Sequence, residues 1–99
     1  MAANFETALA LMRARLNRVP QDTSLDEYFT ARLQAAERSL AGAGITLTAT
    51  ADDTVLLVDY AVWEYQSRDK PGGMPDWLRL RRRERWLQQG AREVSADDP

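Results

Sequence analysis

The chain has 99 residues, a net charge of −2, 44% hydrophobic and 28% charged residues, and neither cysteine nor histidine. That length suits one domain with one modest core, burying roughly 65% of its unfolded surface. The missing residue types exclude disulfides, thiolate zinc sites, cysteine nucleophiles and the commonest general base.

The first predicted element is a helix from Phe5 to Asn17, with Asn4 as its N-cap. Phe5, Ala8, Leu9, Met12 and Leu16 repeat at helical spacing along it. Pro20 is its stop signal. Met1 to Phe5 carries no basic or apolar leader pattern, so no secretory signal is expected. A second helix is predicted from Leu25 to Leu40. Ser24 and Glu27 form a capping box at its start, and Gly42 and Gly44 offer left-handed positions at its end. Leu25, Phe29, Leu33, Ala36 and Leu40 make its apolar stripe.

Ile45 to Thr50 alternates apolar residues with threonine and reads as a short extended segment. It is either a loop packed on the domain or a strand awaiting another chain. A third helix opens at Thr50-Ala51-Asp52-Asp53, whose acids are accounted for by capping. It runs to about Arg68, apolar on nearly all sides, and is therefore the predicted central element. Leu56, Tyr60 and Trp63 are expected in the core.

Pro71, Gly72 and Gly73 form a predicted hinge. The fourth helix starts at Pro75 and ends near Gly90. Residues 1–90 thus read as one helical domain and 91–99 as an acidic, flexible tail. The fold class is all-α: a small four-helix domain with one extended loop between helices two and three.

Charge is unevenly spread. Residues 1–20 sum to +2, 21–41 to −2, 42–70 to −3, 71–92 to +4 and 93–99 to −3. Twelve of the thirteen basic residues are arginine, suited to bidentate contact with carboxylate or phosphate. Five fall in seven positions of the last helix: Arg79, Arg81, Arg82, Arg83 and Arg85. At about 100° per residue they cannot share a face. Arg79, Arg82 and Arg83 lie together, and Arg81 pairs with Arg85. The bland interpretation of this run is a solvated face with Glu84 among its partners. Trp77 is expected in the core, and Trp86 stands between core and interface, where tryptophan and arginine are enriched.

Catalysis is not expected. Asp59 and Glu64 do not share a face, no serine is placed to pair with Lys70, and Gly72-Gly73 lacks the following lysine of a phosphate loop. No cofactor and no metal is predicted, and no segment is apolar enough to span a membrane.

The segment VLLVDYAVWEYQSRDKPGGMPDWLRLRRRERWLQQ, Val55 to Gln89, resembles the small head-tail connector, or head-completion, proteins of long-tailed bacteriophages and prophages. The resemblance rests on a central helix ending in a tyrosine and arginine stretch, a short loop, a Met-Pro pair and an arginine-rich final helix. Here those positions are Tyr60, Tyr65, Arg68, Met74, Pro75, Leu78, Arg81 and Arg82. The helix with Leu11 and Leu16, the Pro20-Gln21-Asp22 connector and the second helix extend the likeness over residues 5–89. The family often has asparagine in the final helix where this chain has Arg83 and Glu84. The resemblance implies a virion protein at the head-tail interface, found in the host cytoplasm before assembly. It implies a homo-oligomeric ring, twelvefold by that likeness, below the portal protein. Such a ring extends the channel for packaged double-stranded DNA, completes the head and docks a tail-side neck or stopper protein. On that reading Arg79, Arg81, Arg82, Arg83, Arg85 and Trp86 contact the portal, neighbouring subunits or the DNA channel. The competing readings are a non-specific DNA-binding module using phosphate contacts through the arginine helix and a regulatory helical domain with one protein partner.

Overall fold

The computed structural model describes residues 4–16, 23–68 and 72–97. Four helices follow in order: α1 (Phe5–Arg15), α2 (Asp26–Gly42), α3 (Ala51–Ser67) and α4 (Asp76–Asp97). The domain is all-α, as its periodicity predicts, and no strand occurs among the described residues.

α1 is capped by Asn4, whose side chain accepts the Thr7 backbone N–H at 3.2 Å. It ends at Arg15, two residues before the expected Asn17, which lies outside the described residues. The capping box expected on α2 is not the device that starts it. Leu25 occupies the N-cap position and makes no side-chain cap bond. The Asp26 N–H instead closes a turn onto the Thr23 carbonyl at 3.2 Å. The Asp26 carboxylate accepts both Arg13 Nε, at 2.8 Å, and Arg13 Nη2, joining α1 to α2.

α2 runs past Leu40 to Gly42 and ends in a Schellman motif. The Gly44 N–H bonds the Ala41 carbonyl at 3.0 Å, and the Ile45 N–H bonds the Leu40 carbonyl at 2.9 Å. Gly44 is the left-handed residue, with φ +91°. Ile45 and Leu40, the apolar pair of this motif, are both buried.

The 45–50 segment forms no strand within the described residues and lies packed on the domain. Its alternation buries Ile45 and Leu47. The backbone groups of Thr46 and the N–H of Thr48 are taken by side chains of this same chain. Thr50 then caps α3, accepting the Asp53 N–H at 3.3 Å.

α3 is the central helix. Leu56, Leu57, Val58, Tyr60, Ala61 and Val62 are buried, against Ala8 and Met12 of α1 and Phe29, Leu33, Ala36 and Leu40 of α2. Trp63 is only half-buried, stacked edge-on to Tyr60 with ring centroids 5.6 Å apart. Phe29 and Tyr65 make a similar edge contact between α2 and α3 at 5.8 Å.

α4 departs most from expectation. Pro75 precedes it and supplies the carbonyl that accepts the Leu78 and Arg79 N–H groups. The helix does not end near Gly90 but continues to Asp97, so the segment expected to be a tail carries on the helix. Gly72 before it has φ +117°, a conformation L side chains rarely adopt. Pro71 of the predicted hinge lies outside the described residues.

Candidate functional site

Among the described residues α4 lies against α3 and no other helix. Among the described residues it contributes one fully buried apolar side chain, Leu78. It is fastened by polar groups instead. Leu78, Arg81, Arg85 and Gln89 fall at i, i+3, i+7 and i+11 and form its inner face.

Arg85 is 8% exposed. Its Nε donates to Asp53 Oδ1 at 2.7 Å and its Nη2 to Asp53 Oδ2 at 3.0 Å, a bidentate fork. Nη2 also reaches the Thr46 carbonyl at 2.8 Å. Gln89 completes the attachment: its Nε2 donates to the Gly44 carbonyl at 2.8 Å, and its Oε1 accepts the Thr46 N–H at 2.6 Å.

Arg81 donates to Asp59 Oδ2 at 2.6 Å, while Arg15 of α1 holds Asp59 Oδ1. Asp59 is 5% exposed, so two arginines from different helices neutralise one buried carboxylate. The residue order reverses between the two pairs, Asp53 with Arg85 and Asp59 with Arg81. The two helices therefore run antiparallel.

Burial pushes the Asp53 carboxyl up, but the hydrogen bonds from Arg85 and from the Thr48 N–H and hydroxyl outweigh it. The net position is below the ordinary aspartate value. The Arg85 guanidinium is raised further by its bond to Asp53, against the opposing effect of burial. Both groups are charged throughout the neutral range.

The outer side of α4 is quite different. Arg79, Arg82, Arg83 and Trp86 line a depression of about 270 Å³ together with Ala43 and Ile45. Arg79 pairs with the exposed Asp76 at 3.1 Å and donates to the Met74 carbonyl. Trp86 packs over Gly44, close enough that a Cβ there would stand 2.9 Å from its Nε1. Trp86 is nevertheless 50% exposed, and Leu80, Leu87 and Trp77 are similarly open.

The predicted division of the arginines is thus present, with an unexpected destination for one half. Arg81 and Arg85 bond carboxylates of their own chain, Arg85 buried and Arg81 with its side chain still 43% exposed. Arg79, Arg82, Arg83 and Trp86 gather on the outer side. Trp77 is not a core residue. Asp53 is more than a capping residue, since its carboxylate anchors α4. Asp53, Asp59, Thr46, Gln89 and Arg15 escaped the sequence reading. The available signal was Asp53 and Asp59, two of the four acids on a mostly apolar helix, with arginines spaced to meet them.

Among the described residues no three acidic side chains converge as a metal site, and no helix is long and apolar enough to cross a membrane. Comparison with protein-family models, curated proteins and solved structures returns no match.

Proposed function

We propose that the protein is a structural component of a tailed-phage or prophage virion, a head-tail connector that works by repeated protein contacts. One observation carries the reading. α4 is held by an ionic inner face and turns outward a surface of arginines, tryptophans and leucines that stays largely exposed, Trp77, Leu80, Trp86 and Leu87 each about half or more. Surfaces of that composition are typical of protein interfaces. The order of elements that resembles the connector family supports the same reading, in which subunits form a ring below the portal around the DNA channel. A closed ring needs two different faces that meet head to tail. The acidic stretch of residues 21–70 and the basic stretch of 71–92 supply opposite charge for that purpose. The DNA-binding alternative loses support from Arg85, which is buried against Asp53, and from the exposed acids Asp76 and Glu84 among the arginines of the same helix.

The test is a charge reversal on the outer side alone. Arg82→Glu with Arg83→Glu leaves both carboxylate attachments intact, so the variant should fold with an unchanged melting curve. Repetition around a ring multiplies a small loss per subunit. The yield of DNA-filled heads joined to tails should fall roughly tenfold or more. Normal yield with that variant refutes the assembly role.

A further inference from the structure

The depression on the outer side of α4 joins two chemistries. One part of its lining is apolar: the buried Ile45, Ala43, and the half-exposed indole of Trp86 seated over Gly44. The other part is Arg79, Arg82 and Arg83. Arg13, Arg15, Arg81 and Arg85 all reach carboxylates of their own chain. Arg82 and Arg83 do not: among the described residues they form no ion pair and no hydrogen bond. Arg79 has only the exposed Asp76 and the Met74 carbonyl. Arg82 is half-buried, so a guanidinium is held partly out of water with no counter-charge. An incoming carboxylate gains most at such a group.

The apolar part decides which anion fits. A ligand that supplies charge alone leaves Ile45 and Trp86 uncovered. α2 ends at Ala43, and the negative end of a helix dipole opposes a compact phosphate there. A duplex backbone offers only phosphates. A single strand needs successive aromatic platforms, where this depression has one. Its volume of about 270 Å³ is below the roughly 300–1,000 Å³ of small-molecule pockets, so side chains of a polypeptide passing over it suit it better than a cofactor.

We infer that this depression takes an acidic peptide segment of a partner protein. One bulky apolar side chain of that segment lies against Trp86 and Ile45, and its carboxylates meet Arg79, Arg82 and Arg83. The spacing follows from the helix. The three arginines precede Trp86 by seven, four and three positions, about 4.5 to 10.5 Å of rise. An extended peptide advances about 3.3 Å per residue, so its acids stand one to three residues from its apolar anchor. The carboxylate contacts fix the register, and the anchor supplies the buried contact on which affinity depends. This inference does not rest on the connector reading, and its test contains no phage component, so either can fail alone.

The experiment uses the purified full chain, labelled with nitrogen-15, and three capped decapeptides as probes. Each carries two adjacent glutamates, with a phenylalanine one, two or three residues after them, in a glycine–serine background. At least one should saturably shift the Trp86 indole N–H signal and the backbone signals of residues 79–86. Arg82→Gln with Arg83→Gln should weaken that binding roughly tenfold or more. The melting curve should not change, because neither side chain has a partner in the described fold. Alanine in place of the peptide's phenylalanine should also weaken binding roughly tenfold. Arg32→Gln removes an arginine held against Tyr28 on α2 and should leave the affinity unchanged. No binding by any of the three peptides overturns the inference. So does equal binding when the glutamates are replaced by glutamine or the phenylalanine by alanine, or an equal loss with Arg32→Gln. A short DNA duplex or an oligothymidylate that shifts the same signals at lower concentration overturns it in favour of a nucleic-acid site. Movement of those signals on diluting the protein alone overturns it in favour of a second copy.

Discussion

The body formed by α1, α2 and α3 and the helix α4 are held by different physics. The body is joined by apolar side chains interdigitated around α3, with Leu33, Leu57, Met12 and Phe29 almost wholly removed from water. Among the described residues α4 is joined by one fully buried leucine, two arginine–carboxylate contacts, a glutamine that bridges a loop and the half-exposed Trp86 over Gly44. Apolar burial is non-directional and tolerates small shifts. Bidentate and backbone hydrogen bonds hold only in one geometry and exchange readily for water or a new partner. An element fixed in the second way is suited to present a surface and to give up its place.

The largest expected effect lies in the body. Leu57→Ala should destabilise the whole domain by about 2–5 kcal/mol, read as a lower urea midpoint for all probes together. Next comes the attachment of α4. Arg85→Met removes charged hydrogen bonds worth about 1.5–3 kcal/mol. Amide exchange should speed up within α4 well beyond any change within α3. Uniform acceleration in both would show that α4 and the body are one cooperative unit and would erase the contrast.

Gly44→Ala tests where the two regions touch. The left-handed backbone alone costs an L-residue about 1–2 kcal/mol, and the new methyl would displace Trp86 from its seat. The Trp86 indole signal should change in an NMR spectrum while core methyl signals stay put.

Acid should act on the two regions with opposite sign. Asp53 has a folded value below the ordinary one, so its stabilising contribution is complete above the ordinary value and is lost as pH falls through the lowered one. That loss belongs below about pH 4 and should loosen α4. Glu64, between α3 and Arg32 of α2, is raised by burial, with Arg32 pulling the other way. The folded state binds its proton more readily, so stability rises as pH falls through its raised value towards the ordinary glutamate range. Amide exchange in α4 and near Glu64, followed from pH 6 to 3, should move in opposite directions.

The smallest effect should come from Arg79→Ala. Its pair with Asp76 is solvent-exposed and worth only about 0–1 kcal/mol, so the melting temperature should barely move. A large drop would mean that α4 depends on its outer side after all.

Much of this arrangement was legible in the residues, and the reasons differ by element. The four helices follow from apolar spacing, and the Schellman end of α2 follows from Gly44 with Ile45 behind it. The capping box at Ser24 and Glu27 placed the N-cap one residue early, because a turn from Thr23 to Asp26 leads into the helix and leaves Leu25 at that position. Helix spacing separates Arg81 and Arg85 from Arg79, Arg82 and Arg83, yet it is silent on which set faces inward. That depends on Asp53 and Asp59, which are distant in sequence. Arginines turned inward also freed Trp77, Leu80 and Leu87 to point outward, against the usual rule for large apolar residues. The end of α4 was misjudged because Gly90 and an acidic composition weaken a helix without forbidding it.

Asp59 has a further consequence for timing. Two guanidiniums share its oxygens, one from α1 and one from α4, so removing Arg81 leaves the carboxylate still neutralised by Arg15. Asp53 likewise retains the Thr48 N–H and hydroxyl when Arg85 withdraws. Asp59 is thus never left without an opposite charge, and Asp53 keeps two donors, which softens the state that makes breaking a buried ion pair so unfavourable. Detachment of α4 should therefore be limited by the exposure of Leu78 and the exchange of these bonds for water, and should be faster than unfolding of the body beneath.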